Sequence, residues 1–293
     1  MLGFPAVGAD GTRLHDAPAE TWAEMFRKTA ALGFTSIEIT DSHIRPADLE
    51  PSRRRELIDI AKQHGVTPVA VHVQRQSVIE PGRAEENLAY AHRAIDAAAE
   101  QGMSVFSTGL HQPFTEAQKR ALWFWLAESP KDPVDDPDTW ALAVTRLREL
   151  GAHAAEVGLQ MSLEMYEDTY LGTADSAVRL VEEIGLDNVG LNPDIANIVR
   201  LHRPIEDWRE MHEKMLPYAN YWHLKNYTRD ESIDGSWIST TPTTLELGVI
   251  NYRDMVALAL ELGYSGPFLM EHYGGDSLGV CATNRRYLES LLP

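Results

Sequence analysis

The sequence has little cysteine and no long apolar run, and both absences limit where the protein can work. Its 293 residues contain one cysteine, Cys281, so no disulfide can form within the chain, and a reducing compartment is expected. No apolar run approaches the roughly 18 residues of a membrane span. The segment 1–10 lacks the basic start and apolar core of a signal peptide. We therefore expect a soluble, cytoplasmic protein that does not enter membranes.

Basic residues are also scarce relative to acidic ones. The chain has 26 lysines and arginines against 44 aspartates and glutamates, which gives a formal net charge of −18. Such a surface repels the phosphates of nucleic acids and of anionic membranes, so we expect neither as a partner. The acidity favours solubility, and it leaves open a local basic pocket for an anionic substrate.

Several familiar functional motifs are missing. The chain has no GxGxxG or P-loop sequence, which argues against a nucleotide held on a glycine-rich loop. It has no GxSxG nucleophile elbow and no HExxH zinc motif either. Any chemistry must therefore come from residues that are spread along the chain.

What the sequence does contain is a regular alternation of two kinds of segment. Short β-rich runs predict strands near 2–7 and at 36–40, 67–73, 103–110, 159–166, 188–193, 221–225 and 267–272. Helical periodicity is found at 21–32, 51–64, 84–101, 140–157, 174–184, 205–216, 252–262 and 281–292. Many of the helices end at a glycine just before the next strand, as at Gly33, Gly65 and Gly185. Glycine suits the left-handed position that ends a helix.

Eight strand–helix pairs predict a single α/β domain, 1–293, folded as a (β/α)8 TIM barrel. A doubly wound open sheet is the alternative, but it usually has fewer strands and often a glycine-rich loop. An insertion at about 111–138 follows the fourth predicted strand and carries Trp123, Phe124 and Trp125. Long connections are often lids or interfaces. The other interpretation is a small extra helix whose aromatic residues pack on the barrel.

In such a barrel, functional residues lie at the carboxyl ends of the strands. Four predicted strands carry an ionisable residue within or just after an apolar run: Glu164, Asp194, His223 and Glu271. Taken singly, each acid could be a cap or an ion-pair partner, and the histidine a hydrogen-bonded core residue. Together, three carboxylates and one imidazole require a cation among them. Three oxygens and one nitrogen, without sulfur, predict a divalent ion, with Mn²⁺ favoured over Mg²⁺, Co²⁺ or Zn²⁺.

Five stretches of the chain point to a known family: LGFTSIEI (32–39), SLEMYED (162–168), VGLNPDIAN (189–197), WHLKN (222–226) and the segment 245–274. They resemble the sugar phosphate isomerase/epimerase family, the xylose isomerase-like TIM barrels that include tagatose and psicose 3-epimerases, hydroxypyruvate isomerase and inosose dehydratase. The resemblance implies that Glu164 and Glu271 are both metal ligands and the catalytic acid/base pair. It implies that Asp194 and His223 are metal ligands only. The implied reaction is proton abstraction next to a sugar-like carbonyl, through a metal-stabilised enediolate.

The resemblance also suggests where a carbohydrate substrate would bind. The candidate substrate-binding residues are His72, His111, Tyr166, Asn197, Lys225 and Arg229. His72 and His111 could instead be core histidines, and Lys225 a structural ion pair. Tyr166 and Asn197 stand where family epimerases often have histidines, and Asn226 stands where they usually have aspartate. These departures argue against a standard ketohexose 3-epimerase.

Three other functions deserve comparison. A lyase on the same scaffold, either a dehydratase or an enzyme that eliminates a group β to the ketone of a 3-keto sugar, would use the same proton abstraction. The endonuclease IV type of the superfamily acts on DNA with several zinc ions, but Asn197 replaces an expected histidine and the net charge opposes a DNA substrate. A non-catalytic binding protein would not need four ligands. The family often forms dimers or tetramers, so we expect a homo-oligomer or a partner subunit.

Overall fold

Short runs of apolar and β-branched residues form the strands of a parallel barrel. In the computed structural model, which describes residues 1–293, β1 to β5 form one parallel sheet in chain order, and β6 pairs in parallel with β9. A separate antiparallel hairpin contains β7 and β8. The strands are β1 (Ser36–Thr40), β2 (Thr67–Val73), β3 (Val105–Thr108), β4 (Gln160–Glu164), β5 (Val189–Asn192), β6 (Trp222–Leu224), β7 (Asn226–Glu231), β8 (Ile238–Thr243) and β9 (Phe268–Met270).

Helices connect the parallel strands and pack side by side. They are α1 (Ala19–Ala31), α2 (Pro51–Gln63), α3 (Ala84–Glu100), α4 (Glu116–Arg120), α5 (Pro137–Glu156), α6 (Ala174–Ile184), α7 (Ala196–Val199), α8 (Trp208–Met215), α9 (Tyr252–Glu261) and α10 (Ser277–Glu289). All eight predicted helices are present, and α4 and α7 are short additions. The α/β class and the (β/α)8 barrel architecture are therefore confirmed. None of the helices is long and apolar enough to cross a membrane.

The strand predicted near 2–7 is wrong. The segment forms no strand, and its only ladder contact is an isolated antiparallel bridge between Val7 and Arg13. Pro5 has no backbone N–H to donate to a neighbouring strand, which explains why the apolar run does not extend into a ladder. Residues 1–4 nevertheless lie between β9 and β1, where they line a small cavity with both strands.

A side chain bridges the seam between β5 and β6. The two strands do not share a regular ladder, and the backbone N–H of His223 donates to Asn192 Oδ1 at 2.8 Å. Asn192 is fully buried and pairs in register with Glu164 on β4. The amide therefore fixes the height of His223 on its strand relative to Glu164.

The insertion contains a short helix and packs on the barrel. Because segment 2–7 is not a strand, the insertion follows the third strand of the structure rather than a fourth. It forms α4 and a 3-10 turn at Phe124–Leu126. Trp125 is buried against the rings of Tyr227 and Tyr273, whose centroids lie 5.6 Å and 5.4 Å away. This matches the interpretation in which the aromatic residues pack on the barrel.

The connection 226–251 contains a hairpin that the sequence analysis did not predict. Beyond Tyr227, β7 is exposed or partly buried and β8 is mostly partly buried, and neither strand has the apolar alternation of a half-buried strand. The loop after the hairpin is tied to the end of β6 by Asn226. The Asn226 amide group donates to the carbonyls of Leu245 and Ile250, each at 2.9 Å.

We predict that Asn226→Asp lowers the free energy of unfolding by about 2–4 kcal/mol, because a carboxylate cannot donate to two buried carbonyl oxygens and would repel them. Urea denaturation measures the change. Asn251→Asp is the matched control, since Asn251 only accepts a hydrogen bond, from the Asp254 N–H at the start of α9. Aspartate caps a helix as well as asparagine does. Equal losses in the two variants would contradict this role for Asn226.

Candidate active site

The four predicted metal ligands lie at or near the carboxyl ends of four barrel strands. Glu164 is the last residue of β4, and Asp194 follows β5 by two residues. His223 is the central residue of β6, and Glu271 follows β9 directly. Because the strands are parallel, these positions meet at one end of the barrel. We call the four residues the quartet.

The quartet converges on one point. Each residue offers a ligand atom, these atoms all lie within 4.8 Å of one another, and all four residues are buried. His223 Nδ1 lies 3.6 Å from Glu164 Oε1, 3.6 Å from Glu271 Oε2 and 3.9 Å from Asp194 Oδ2. Donors that bind one ion are themselves roughly 3–4 Å apart. The spacing therefore suits a shared cation.

Unpaired atoms within the quartet also fit a cation. Glu164 Oε2, Asp194 Oδ1 and His223 Nδ1 are buried and have no hydrogen-bond partner in the protein. Most buried polar atoms in proteins are satisfied. Three carboxylates and one imidazole are a donor set that divalent ions accept. The residues present therefore could hold a divalent metal ion.

Glu38 orients the histidine of the quartet. His223 Nε2 lies 2.9 Å from Glu38 Oε2, which also accepts a hydrogen bond from the Tyr221 hydroxyl at 2.8 Å. A carboxylate on the outer nitrogen fixes the ring and makes the inner nitrogen a better ligand. The sequence analysis did not assign Glu38 to the site. Its signal was an acid in the middle of the buried run SIEIT of β1.

The electric field at the quartet favours positive charge. Burial alone would lower the pKa of His223, but Glu38 and Glu164 hold that pKa well above its ordinary value. Burial raises the pKa of Asp194 to about 7, with Lys225 acting in the opposite direction. A field that binds a proton to the imidazole also favours a metal cation at the same nitrogen.

Lys225 is a permanent cation between two members of the quartet. Its ammonium group donates to Glu271 Oε2 at 2.8 Å and to Asp194 Oδ2. Burial would lower the pKa of Lys225, but the Asp194 and Glu271 carboxylates hold it well above its ordinary value. The side chain is buried and does not line the cavity described below. The structure thus places Lys225 against two carboxylates of the quartet.

Two further histidines surround Glu164. His72 Nε2 and His111 Nε2 lie 3.0 Å and 3.3 Å from Glu164 Oε2, and the three residues form a second group that could hold a cation. Burial lowers the pKa of His111 to about 4, so its imidazole is neutral at physiological pH. Burial alone would raise the pKa of Glu164, but the surrounding histidines hold it well below its ordinary value.

Of the remaining predicted substrate-binding residues, some lie at the site and one does not. Asn197 donates from Nδ2 to Glu164 Oε1 at 3.1 Å and to a backbone carbonyl, so it holds the Glu164 carboxylate in place. Tyr166 lines the cavity. Arg229 does not: its guanidinium donates to the backbone carbonyls of Val199 and Leu201. The structure therefore does not bring Arg229 to the site.

A cavity of about 610 Å³ opens beside the quartet, a size typical of small-molecule sites. Glu164 and Glu271 line it, whereas Asp194 and His223 do not. Part of its wall is aromatic. Its rings are Phe114, Phe124, Tyr166 and Tyr273.

A buried ion pair supports the aromatic wall. The Arg200 guanidinium donates to both carboxylate oxygens of Glu167, at 2.9 Å and 2.8 Å, and neither side chain is exposed to solvent by more than 2%. The guanidinium carbon also lies 4.8 Å from the ring centre of Phe124 and 5.0 Å from that of Trp125. Such cation–π contacts fix the insertion over the barrel mouth.

Comparison with known proteins identifies the family. A family model described as a xylose isomerase-like TIM barrel matches residues 26–291. The chain belongs to this family. The resemblance inferred from the sequence is thereby confirmed. Among curated proteins, none matches the sequence.

Solved structures show the same fold. A xylose isomerase-like TIM barrel protein from Mycobacterium smegmatis, in complex with magnesium, is 46% identical with a TM-score of 0.94, over 99% of this chain and 94% of that one. A 3-keto-D-glucoside 4-epimerase from E. coli is 17% identical with a TM-score of 0.65, over 92% and 95%. A probable 3-DHS dehydratase from Bacillus anthracis is 15% identical with a TM-score of 0.66, over 94% and 95%. The last two show the fold alone, which thus carries both an epimerase and a dehydratase.

We predict that Glu38→Gln weakens the binding of Mn²⁺ about tenfold to a hundredfold, because the His223 ring loses the carboxylate that orients it and raises its basicity. Isothermal titration of Mn²⁺ into chelator-treated protein measures the affinity. Glu261→Gln is the control, since Glu261 is exposed on α9 and the substitution removes the same charge. An unchanged affinity in Glu38→Gln would show that this contact does not tune the site.

Proposed function

We propose that the protein is a divalent-metal-dependent isomerase or epimerase that acts on a sugar or sugar-like carbonyl compound. One observation carries the proposal: within the quartet, only Glu164 and Glu271 line the cavity. These two carboxylates can reach a substrate, whereas Asp194 and His223 can serve only as ligands. That division matches an acid/base pair beside a cation.

The two glutamates are suited to move a proton in opposite directions. Glu271 Oε2 accepts a hydrogen bond from the Lys225 ammonium group. No hydrogen bond involves Glu271 Oε1, so that oxygen is free to accept a substrate proton. Glu164 is held by Asn197, which donates a hydrogen bond to its Oε1. One carboxylate removes a proton from the carbon next to the carbonyl and keeps it, and the other, which carries a proton beforehand, delivers one to the substrate. Depending on the carbon that receives it, the result is isomerisation or epimerisation.

A divalent ion held by the quartet would polarise the substrate carbonyl and make the neighbouring C–H more acidic. We expect Mn²⁺ first, with Mg²⁺, Co²⁺ and Zn²⁺ as alternatives, because the donor set has three oxygens and one nitrogen. The magnesium complex of the Mycobacterium smegmatis relative supports a divalent ion in general terms.

Tyr166 is a further donor in the cavity. Burial raises its pKa to about 12, with Glu167 contributing, so the hydroxyl keeps its proton. Its oxygen accepts a hydrogen bond from Arg75 at 2.5 Å, and its own proton has no acceptor within the protein. We propose that this proton binds a substrate oxygen other than that of the reacting carbonyl.

A lyase is the second candidate, and the aromatic wall favours it. The rings of Phe114, Phe124 and Tyr273 give the cavity an apolar surface on which a ring-shaped group can stack. A substrate with a ring-shaped leaving group would use that surface. The mass of the product separates the two functions. We expect the product mass to equal the substrate mass. A product lighter by water or by a larger group would show that the enzyme catalyses elimination instead of isomerisation.

We predict that turnover of a keto sugar in D₂O places deuterium on the carbon next to the carbonyl. Glu164→Gln and Glu271→Gln should each lower that exchange about 10²- to 10⁴-fold, because each removes one partner of the proton transfer. Mass spectrometry of the product follows the label, and plasma mass spectrometry follows metal bound per chain. Glu261→Gln is the control.

The two readouts distinguish a lost ligand from a lost base. Glu271→Gln protein that retains its metal and loses exchange supports an acid/base role for Glu271. Protein without bound metal after soaking with each of the four ions, or turnover in D₂O without label, contradicts the proposed function.

A further inference from the structure

Arg75 is a partly buried cation in the cavity wall without an acidic partner. It follows β2 by two residues and lines the cavity that Glu164 and Glu271 also line. Its guanidinium donates to the Gln112 backbone carbonyl at 3.1 Å and to the Tyr166 hydroxyl at 2.5 Å. No carboxylate lies within salt-bridge distance of it, in a chain with 44 acidic residues. Arginine has five N–H donors, so most remain free.

The other arginines of the cavity wall are neutralised. Arg45 and Arg93 lie 2.5 Å and 3.3 Å from the Asp48 carboxylate. Arg83 lies 3.3 Å from Glu86. These three belong to surface ion pairs, which leaves one guanidinium available to a ligand.

The surroundings hold the Arg75 guanidinium in place. Its central carbon lies 3.4 Å from the ring centre of Phe114, so the planar group stacks on an aromatic face. The backbone of Arg75 has a φ of 55°, a left-handed conformation that residues with a side chain rarely adopt. A stacked, hydrogen-bonded guanidinium is preorganised for a planar or tetrahedral oxyanion.

Two side chains connect the guanidinium to the quartet. Arg75 contacts the Tyr166 hydroxyl, the Tyr166 ring packs edge-on against His111 with centroids 4.3 Å apart, and His111 contacts Glu164. A substrate whose carbonyl end lies at the two glutamates therefore extends towards Arg75 along the aromatic wall.

We propose that Arg75 binds an anionic oxygen group, a carboxylate or a phosphate, at the end of the substrate remote from its reacting carbonyl. The inference rests on the proposed function, because it places the reacting end of the same molecule at Glu164 and Glu271. The substrate class is then an acidic or phosphorylated keto sugar, rather than a neutral hexose. Arg75 and the Tyr166 hydroxyl supply the donors of this subsite.

Three matched probes test the subsite: D-fructose, D-fructuronate and D-fructose 6-phosphate, which differ only in a terminal hydroxymethyl, carboxylate or phosphate ester. Isothermal titration of each into Mn²⁺-loaded protein should show one of the anions binding about tenfold to a hundredfold more tightly than fructose. The anion that binds more tightly than fructose shows whether the subsite prefers a carboxylate or a phosphate.

Variants assign the preference to Arg75. Arg75→Gln should abolish it without changing metal content, and Arg75→Lys should keep part of it because the charge remains. Arg55→Gln is the control, since Arg55 is exposed on α2 and does not line the cavity. Retention of the preference in Arg75→Gln overturns the inference. So does equal weakening of all three probes, which would mean a structural role, and so does the absence of any preference or binding in the wild-type protein.

The proposed function fails separately. If the Arg75-dependent preference is found but no probe exchanges deuterium, the anion subsite stands and the proton-transfer chemistry is wrong. If fructose exchanges deuterium and the anions bind no better, the chemistry stands and the subsite is wrong.

Discussion

Mutual repulsion among three buried carboxylates is the constraint on which the rest of this site depends. Glu164, Asp194 and Glu271 share a volume a few ångströms across with one histidine. Uncompensated buried charge is strongly destabilising. Lys225 supplies one positive charge, and His72 and His111 lie within 3.3 Å of Glu164 Oε2. The set remains acidic, so the fold reserves a place in which a divalent cation would replace repulsion by attraction.

That constraint explains why several buried polar side chains are arranged around the quartet. Asn192 sets the height of His223, Asn197 holds Glu164, and Glu38 orients the imidazole from outside. Each donor or acceptor is buried, where an imperfect hydrogen bond is expensive and a good one is rigid. Rigidity matters here because ligand atoms must stay in register across strands that belong to two separate sheets.

Local patterns in the sequence predicted much of this arrangement. An acid that ends an apolar strand, such as Glu164 or Glu271, is visible in the sequence because burial of a charge is costly. The helices were equally visible through their periodicity. The two wrong or missing strand predictions have physical causes too. Pro5 interrupts a run that otherwise resembles a strand. The β7–β8 hairpin has no apolar face from which it could be predicted. The role of Glu38 depends on its distance from His223, which sequence spacing does not contain.

The cavity is electrically asymmetric, and that asymmetry constrains the chemistry more than its size does. One end holds carboxylates that suit a cation and a proton transfer, and the other holds a guanidinium stacked on Phe114. In a protein with a net charge of −18, general electrostatics would repel an anionic substrate, so a local cation must overcome that repulsion at short range. A substrate with a fixed charge at one end and a carbonyl at the other would enter in one orientation. Orientation decides which C–H bond faces Glu164 and Glu271, and therefore which carbon loses its proton.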